Sequence, residues 1–224
     1  MPVPWSTSFE DGFCDYQSPD GPGFCYGDEP YLLVTEPHRP GGQYAAKFTV
    51  IGAGQHQTRC VRQGELPQSA YYGAWYFIPE ALQSVTSVWD LWHFTGGDPS
   101  ASNLPGLWDV RLSNIGTSGG WELVVFDPLA PGDNQVYQGP DHKPVPIGSW
   151  FHIELFLKRA SDSTGEVRLY QDGALLFDQT NLKSDASKFS QWYVGNWAGG
   201  ATPPDSSLYV DDVSISASLS SATQ

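Results

Sequence analysis

Apolar and polar residues alternate along much of the chain, with the clearest run near the middle of its second half. In Trp150–Lys158, every second side chain is apolar and the intervening ones include His152, Glu154 and Lys158. This is the period of a strand with one buried face. Residues 207–216 alternate in the same way and contain two adjacent carboxylates, Asp211 and Asp212.

A hairpin is predicted between these two strands. Residues 166–171 and 174–178 are separated only by Asp172 and Gly173, and Asp-Gly supplies the positive φ angles that a tight turn between antiparallel strands requires. Further alternating or aromatic runs predict strands at 5–11, 31–34, 43–50, 55–62, 71–78, 87–95, 107–112, 121–126 and 189–197.

These runs predict an all-β fold. Gly and Pro, at 24 and 18 residues, separate the runs at short intervals, and no run is long enough for an amphipathic helix. About eleven to thirteen short strands suit two antiparallel sheets packed as a jelly-roll sandwich. We expect one domain over residues 1–216 and a flexible tail or linker stub over 217–224. The Pro- and Gly-rich segment 128–148 is expected to be a long loop at the rim of a functional site.

The charge of the chain restricts its partners. Lys and Arg total 11 against 25 Asp and Glu, which gives a formal net charge of -14. A charge of this sign repels nucleic acid and anionic lipid surfaces, so a neutral glycan or a cation is the expected partner, unless a site is locally basic. No apolar segment approaches the length of a membrane span. We therefore expect a monomer that neither inserts into a membrane nor binds nucleic acid.

The chain contains three cysteines, Cys14, Cys25 and Cys60. The first two bracket a Pro- and Gly-rich loop, which favours a Cys14–Cys25 disulfide with Cys60 free, although any of the three pairings is compatible with the sequence. A disulfide in turn predicts a secreted or extracellular protein.

The second half of the chain resembles concanavalin A-like jelly rolls. The resemblance rests on Trp150–Lys158, on the Asp-Gly hairpin and on Leu-Tyr-Val-Asp-Asp-Val-Ser-Ile at 208–215. It implies two antiparallel sheets and a concave groove that faces carbohydrate, and in many members a structural calcium ion. At the matching positions of this chain the calcium ligands would be Glu10, Asp211 and Asp212, completed by backbone carbonyls.

The middle of the chain is similar to jelly-roll polysaccharide lyases of the alginate lyase and heparin lyase type. In those enzymes an Arg-x-Glu strand, a Gln-x-His strand and a Lys-x-Gly-x-Tyr strand face one groove. Here Arg59 stands in the first strand without its Glu, and His93 stands in the second with Leu91 in place of the Gln. The third corresponds to 193–197, which keeps the Gly and has Trp197 at the position of the base.

The resemblance implies cleavage of a uronate polymer by β-elimination, in which a Tyr or His moves the proton. Trp197 cannot accept a proton, but its flat face can stack on a pyranose ring. The sequence therefore predicts a protein that binds a polysaccharide through Arg59, His93 and Trp197. The leading alternative is an active lyase in which Arg59, His93 and Tyr193 are catalytic, with His93 as the base or the carboxylate partner and Tyr193 as the proton donor. A neighbour such as Gln57, Gln191 or Tyr72 would then cover a missing Gln or Tyr. A laminin G-like adhesion domain is a further alternative.

Overall fold

The computed structural model describes residues 4–17, 23–97, 106–114, 120–127, 135–138, 142–185, 187 and 189–220. Within them lie one short 3-10 helix, Cys14–Gln17, and fifteen strands: β1 Trp5–Thr7, β2 Gly23–Gly27, β3 Tyr31–Val34, β4 Ala45–Val50, β5 Gln55–Gly64, β6 Ser69–Phe77, β7 Trp89–Gly97, β8 Gly106–Asn114, β9 Trp121–Asp127, β10 Gln135–Tyr137, β11 Trp150–Lys158, β12 Gly165–Gln171, β13 Ala174–Leu182, β14 Phe189–Gly199 and β15 Ser206–Ser216. This confirms the all-β prediction.

The strands form two antiparallel sheets. One sheet has eight strands in the order β13-β12-β11-β6-β15-β4-β3, with β1 paired to β15, and the other has seven in the order β10-β9-β8-β7-β14-β5-β2. Neighbouring strands are distant in sequence at several places, as in β11 beside β6 and β14 beside β5. This two-sheet sandwich is the architecture that the alternation predicted.

The core lies between the sheets and contains most of the large aromatic side chains. Four tryptophans, Trp89, Trp92, Trp108 and Trp192, are almost fully buried there. Trp92 and Trp192 pack edge to face with ring centroids 5.3 Å apart, an arrangement that aromatic pairs favour. Because Trp92 and Trp192 point inward, the residues that follow them, His93 on β7 and Tyr193 on β14, point to the outer face of the seven-stranded sheet.

The predicted hairpin is confirmed. Strand β11 has the predicted bounds, Trp150–Lys158, and Asp172 and Gly173 join β12 to β13 with φ angles of 51° and 76°. The Pro- and Gly-rich stretch between Cys14 and Cys25, which was expected to be a loop, instead ends in β2. Similarly, β10 lies within the segment 128–148, much of which falls outside the described residues.

The expected Cys14–Cys25 disulfide is wrong. The bond joins Cys25 to Cys60, and Cys14 is free and exposed. The reason is the strand pairing that the sequence did not reveal: Cys25 on β2 and Cys60 on β5 are directly opposite each other, with Cα atoms 4.0 Å apart. The disulfide therefore ties the edge strand β2 to the sheet.

The last described residues lie against the eight-stranded sheet. A bulge interrupts the pairing of β15 with β6 between Asp211 and Ser214, and Asp212 has a φ of 47° there. Beyond β15, Ser220 donates hydrogen bonds to the buried carboxylate of Glu154. Of the predicted tail 217–224, residues 221–224 lie outside the described residues. Within the described residues, no helix is long and apolar enough to cross a membrane.

Candidate functional site

Arg59, His93, Tyr193 and Trp197 come together on the outer face of the seven-stranded sheet. They lie on three neighbouring strands, β5, β7 and β14, and we call them the Arg59 cluster. The ring centroid of His93 lies 5.3 Å from that of Tyr193 and 5.9 Å from that of Trp197. The guanidinium carbon of Arg59 lies 4.7 Å and 4.8 Å from the same two aromatic rings.

Gly195 explains how Arg59 reaches this position. It lies between Tyr193 and Trp197 on β14 and directly opposite Arg59 on β5. A Cβ at residue 195 would lie 2.7 Å from the Cα and 2.9 Å from the Cγ of Arg59, and its φ of 156° is one that other residues rarely adopt. The missing side chain leaves room for Arg59 to cross β14 between the two aromatic rings.

Arg59 itself is almost enclosed, with only 5 % of its surface exposed. Its Nη2 donates a 3.1 Å hydrogen bond to the hydroxyl of Tyr26 and a second one to the side-chain oxygen of Gln57. Its buried Nε and Nη1 have no hydrogen-bond partner among the residues that the structure describes. The buried guanidinium therefore places a positive charge, with unused hydrogen-bond donors, next to the rings of Tyr193 and Trp197.

His93 is held by a chain of charged residues. Its Nδ1 contacts the carboxylate of Asp109, the residue opposite it on β8. Arg111 bridges Asp109 and Asp90, with nitrogen–oxygen distances of 2.5 Å and 2.7 Å. Burial raises the pKa of Asp90 well above its usual value, and the nearby charge of Asp109 adds to this shift, while Arg111 and Arg59 oppose it. The Asp109 carboxylate thus orients the imidazole so that its Nε2 is left for another partner.

Tyr193 is a phenol that keeps its proton at neutral pH. Burial and the neighbouring Tyr26 raise its pKa, and Arg59 opposes this shift. Its hydroxyl lies 2.5 Å from Oε1 of Gln191, which also accepts a bond from Thr95. Gln191 is fixed in turn by a 2.7 Å bond from its amide nitrogen to Gln63.

The structure thus brings together all four residues that the sequence singled out on this face. His93 and Trp197 are both partly exposed, and Arg111 also lines an adjoining pocket of ≈ 350 Å³ together with Val124 and Val136. Asp109 and Arg111 were not predicted from the sequence. Both alternate with core residues on β8, which places them on the outer face, but only the pairing of β8 with β7 shows that Asp109 contacts His93 and that Arg111 joins Asp109 to Asp90.

The three residues expected to bind calcium lie on the other sheet and line one pocket of ≈ 300 Å³. Each already has protein partners: Glu10 accepts from the backbone of Gln43, Asp211 from that of Arg39, and Asp212 pairs with the Arg39 side chain at 3.2 Å. Among the described residues, no group of three or more His, Cys, Asp and Glu side chains is arranged to hold a metal ion. Arg39 supplies the counter-charge in this structure, and calcium binding stays a prediction.

Solved structures of similar fold come from several lyases. An endo-beta-1,4-glucuronan lyase from the fungus Trichoderma reesei aligns with a TM-score of 0.68 at 17% identity, covering 87% of this chain and 90% of that one. A variant of alginate lyase Aly36B in complex with alginate tetrasaccharide aligns with a TM-score of 0.64 at 13% identity, covering 96% and 97%. The cellulose-induced protein Cip1 aligns with a TM-score of 0.62 at 16% identity, covering 95% and 97%. At such identities the likeness shows the fold.

The comparison with curated proteins yields no match. A family model described as polysaccharide lyase matches residues 27–214, which include every member of the Arg59 cluster. This match covers most of the 224 residues, and it favours the lyase alternative over the binding-only and adhesion interpretations. The chain belongs to the polysaccharide lyase family.

Proposed function

We propose that this protein cleaves a uronate-containing polysaccharide by β-elimination at the Arg59 cluster. The observation that carries the proposal is the placement of His93 and Tyr193, two groups able to move protons, with ring centroids 5.3 Å apart on one accessible face. The family match supports the reaction type, and the glucuronan and alginate lyases among the solved structures support a uronate polymer as substrate.

In the proposed reaction His93 is the base. Asp109 holds its Nδ1, so the free Nε2 accepts the proton from C5 of the uronate, and the Asp109 carboxylate stabilises the imidazolium that forms. The electron pair of the broken C–H bond forms the C4=C5 double bond, and the bond between C4 and the glycosidic oxygen breaks. The leaving oxygen needs a proton at this point.

Tyr193 donates that proton. A phenol with a raised pKa is fully protonated at neutral pH, which is the form a general acid requires. Because Arg59 lies behind the Tyr193 ring, its positive charge stabilises the phenolate that remains after the transfer. The cycle closes when the proton on His93 returns to Tyr193 through solvent.

Arg59 also makes this face attractive to an acidic substrate. The chain carries a formal charge of -14, yet Arg59 forms no ion pair among the described residues, because the nearby carboxylates of Asp90 and Asp109 both pair with Arg111. A locally positive site in an acidic chain steers a carboxylate to this face. Partial neutralisation of the substrate carboxylate lowers the pKa of the C5 proton.

Trp197 is the proposed platform for a sugar ring. It is partly exposed and packs edge to face on His93 with an interplanar angle of 80°. A pyranose stacked on the indole would therefore lie beside the imidazole, where the adjacent residue of the polymer meets His93 and Tyr193. The Cys25–Cys60 disulfide supports secretion as the setting of this reaction, and we propose that the protein acts there as a monomer.

The proposal is tested by incubating the protein with polyglucuronate, alginate and neutral cellulose and following the ultraviolet absorbance of the unsaturated product. We expect a rise on at least one uronate polymer and none on cellulose. The His93→Ala and Tyr193→Phe variants should each abolish most of the rise. If the wild-type protein gives no rise but is retarded on gels that contain the polymer, the site binds glycan without cleaving it and the proposal is overturned.

A further inference from the structure

A second polar pocket lies on the opposite side of the sandwich. It has a volume of ≈ 510 Å³ and is lined by β1, β6, β11 and β15 on the outer face of the eight-stranded sheet. This volume lies within the range of about 300–1,000 Å³ that is typical of small-molecule sites. Nothing in the proposed lyase reaction uses it.

Stacked side chains form one side of the pocket. The guanidinium carbon of Arg39 lies 3.3 Å from the ring centroid of Trp75, and the His152 ring lies 5.0 Å from that of Trp75. Asp212 fixes the guanidinium through a 3.2 Å contact with its Nε. We call Arg39, Trp75, His152 and Asp212 the Arg39 cluster.

His152 points an unused polar group into this space. Only 4 % of the residue is exposed, and its backbone N–H and C=O both bond to Asp172, while no hydrogen bond of its ring to another described residue is found. Gly73 leaves a notch beside it, because a Cβ there would lie 3.2 Å from Nε2 of His152 and 3.1 Å from Oγ of Ser214. Because the ring lines the pocket, its nitrogens can form hydrogen bonds with a ligand or with water there.

The remaining lining consists mainly of short hydroxyl side chains. Ser6 and Ser214 lie opposite each other on β1 and β15, and Ser220 closes one side because its bonds to Glu154 hold the chain end against the sheet. These groups donate and accept hydrogen bonds without carrying charge. A pocket lined by several hydroxyl groups is suited to a ligand that itself has many hydroxyl groups.

The charges indicate which hydroxyl-rich ligand fits. The pocket contains one guanidinium, Arg39, and two carboxylates, Asp15 and Asp212. Burial keeps His152 neutral at physiological pH, because it lowers the pKa of the imidazole to about 4. The excess of carboxylate disfavours an acidic sugar, while each carboxylate can accept a hydroxyl proton from a neutral one.

We propose that this pocket is a second carbohydrate site, separate from the Arg59 cluster, and that it binds a neutral pyranose unit. The protein would then hold a neutral glycan on one sheet while the other sheet faces the acidic polymer. The observations for this pocket are independent of the Arg59 cluster, so the proposal of a second site holds even if no lyase activity is measured.

Isothermal titration of the full chain with cellotetraose, xylotetraose, mannotetraose and tetraglucuronate tests the proposal. We expect binding of at least one neutral probe. The Ser6→Trp variant should weaken it at least about tenfold, because Ser6 is exposed and an indole there fills the pocket without disturbing the core. Ser214→Phe should do the same, whereas Ser216→Phe, on the same face of β15 outside the pocket, should leave the affinity unchanged.

Three results would overturn the proposal. The first is the absence of binding by every neutral probe. The second is binding of tetraglucuronate alone at this pocket, which would show that the ligand class is wrong. The third is neutral binding that is lost in Trp197→Ala and retained in Ser6→Trp, which would place the sugar at the Arg59 cluster instead. Thermal melting of each variant verifies that a lost affinity does not reflect lost folding.

Discussion

The Arg59 cluster and the Arg39 cluster use the same types of residue on opposite faces of the sandwich. In each, an arginine stacks on aromatic rings beside a histidine and near an aspartate. The difference is the environment of the histidine. The His93 ring contacts the Asp109 carboxylate and its side chain is 18 % exposed, whereas the His152 ring has no carboxylate on its nitrogens and only 4 % of the residue is exposed.

We expect this difference to decide which of the two histidines can transfer a proton and which can only form a hydrogen bond. A carboxylate on one nitrogen stabilises the charged imidazolium, so His93 can take up and release a proton during a reaction. Burial without such a partner favours the neutral ring, so His152 can only donate or accept a hydrogen bond at neutral pH. We therefore propose proton transfer for His93 and hydrogen bonding alone for His152.

The largest expected effect comes from replacing each of the two histidines by alanine in a separate variant. His93→Ala should lower kcat on the polymer that the wild type cleaves by about 10²–10⁴-fold, the usual contribution of a general base. The matched change, His152→Ala, should leave kcat within about threefold, because His152 lies on the opposite sheet. Initial rates of product formation measure both. Equal losses in the two variants would contradict the division of roles.

Removing the disulfide should affect the two clusters unequally. The bond joins residues separated by 35 positions, so Cys25→Ser with Cys60→Ser should lower the free energy of unfolding by about 4 kcal/mol. Because β2 also carries Tyr26, which bonds Arg59, lyase activity should fall at temperatures where binding at the Arg39 cluster persists.

Urea titrations of this double variant and of Cys14→Ser provide the comparison. Cys14 is free and exposed, so its replacement should leave the midpoint unchanged. A double variant as stable as the wild type would show that the disulfide does not stabilise the edge of this sheet.

The protonation of His152 predicts a pH dependence of stability. Its folded pKa of about 4 lies below the usual 6.5, so between these values the unfolded chain binds a proton that the folded chain does not. The contribution of neutral His152 to stability is therefore complete above pH 6.5 and is lost as the pH falls towards 4. Over this window the stability advantage of the wild type over His152→Asn should shrink by about 3 kcal/mol.

Urea titrations of both proteins across this window measure the effect. Asp211 changes stability in the opposite direction, because burial raises its pKa to about 6, but it is present in both proteins and cancels in the difference. A difference that does not vary with pH would mean that His152 is not held neutral by burial.

The effect of Trp197 on binding should be smaller. Trp197→Ala should weaken binding of a saturated uronate oligosaccharide to the Arg59 cluster by at least about 1 kcal/mol, the scale of one aromatic contact. Trp150→Ala is the matched control, because Trp150 is a partly exposed tryptophan on the other sheet. Isothermal titration should show an unchanged affinity for the control, and an unchanged affinity for Trp197→Ala would remove that residue from the site.

The smallest effect is expected from calcium. If Glu10, Asp211 and Asp212 bind the ion, calcium should raise the melting temperature by a few degrees through preferential binding to the folded state. The ion would have to displace the Arg39 side chain from Asp212, which limits its affinity. A melting temperature that is the same in calcium and in EDTA would contradict the predicted site.

The fold could be predicted from the sequence because its signals are local. Alternation over Trp150–Lys158 and the Asp172–Gly173 turn each depend on neighbouring residues, and the structure confirms both. Strand pairing depends on distant residues. For this reason the sequence did not reveal that Cys25 faces Cys60 or that Asp109 faces His93.

The candidate site was predictable in part for the same reason. Arg59, His93, Tyr193 and Trp197 were found through their resemblance to a family pattern, which carries the pairing of distant strands implicitly. Arg39 lies in a turn that matches no such pattern, so the stack of Arg39 on Trp75 became visible only in the structure.

β-Elimination at the Arg59 cluster leaves an unsaturated chain end, which the proton NMR spectrum of the products formed from polyglucuronate or alginate detects. We expect a vinylic proton signal from C4 of this new chain end, present with the wild type and absent with His93→Ala. Saturated chain ends, which would indicate hydrolysis, or an unchanged polymer spectrum with both substrates would contradict this proposal.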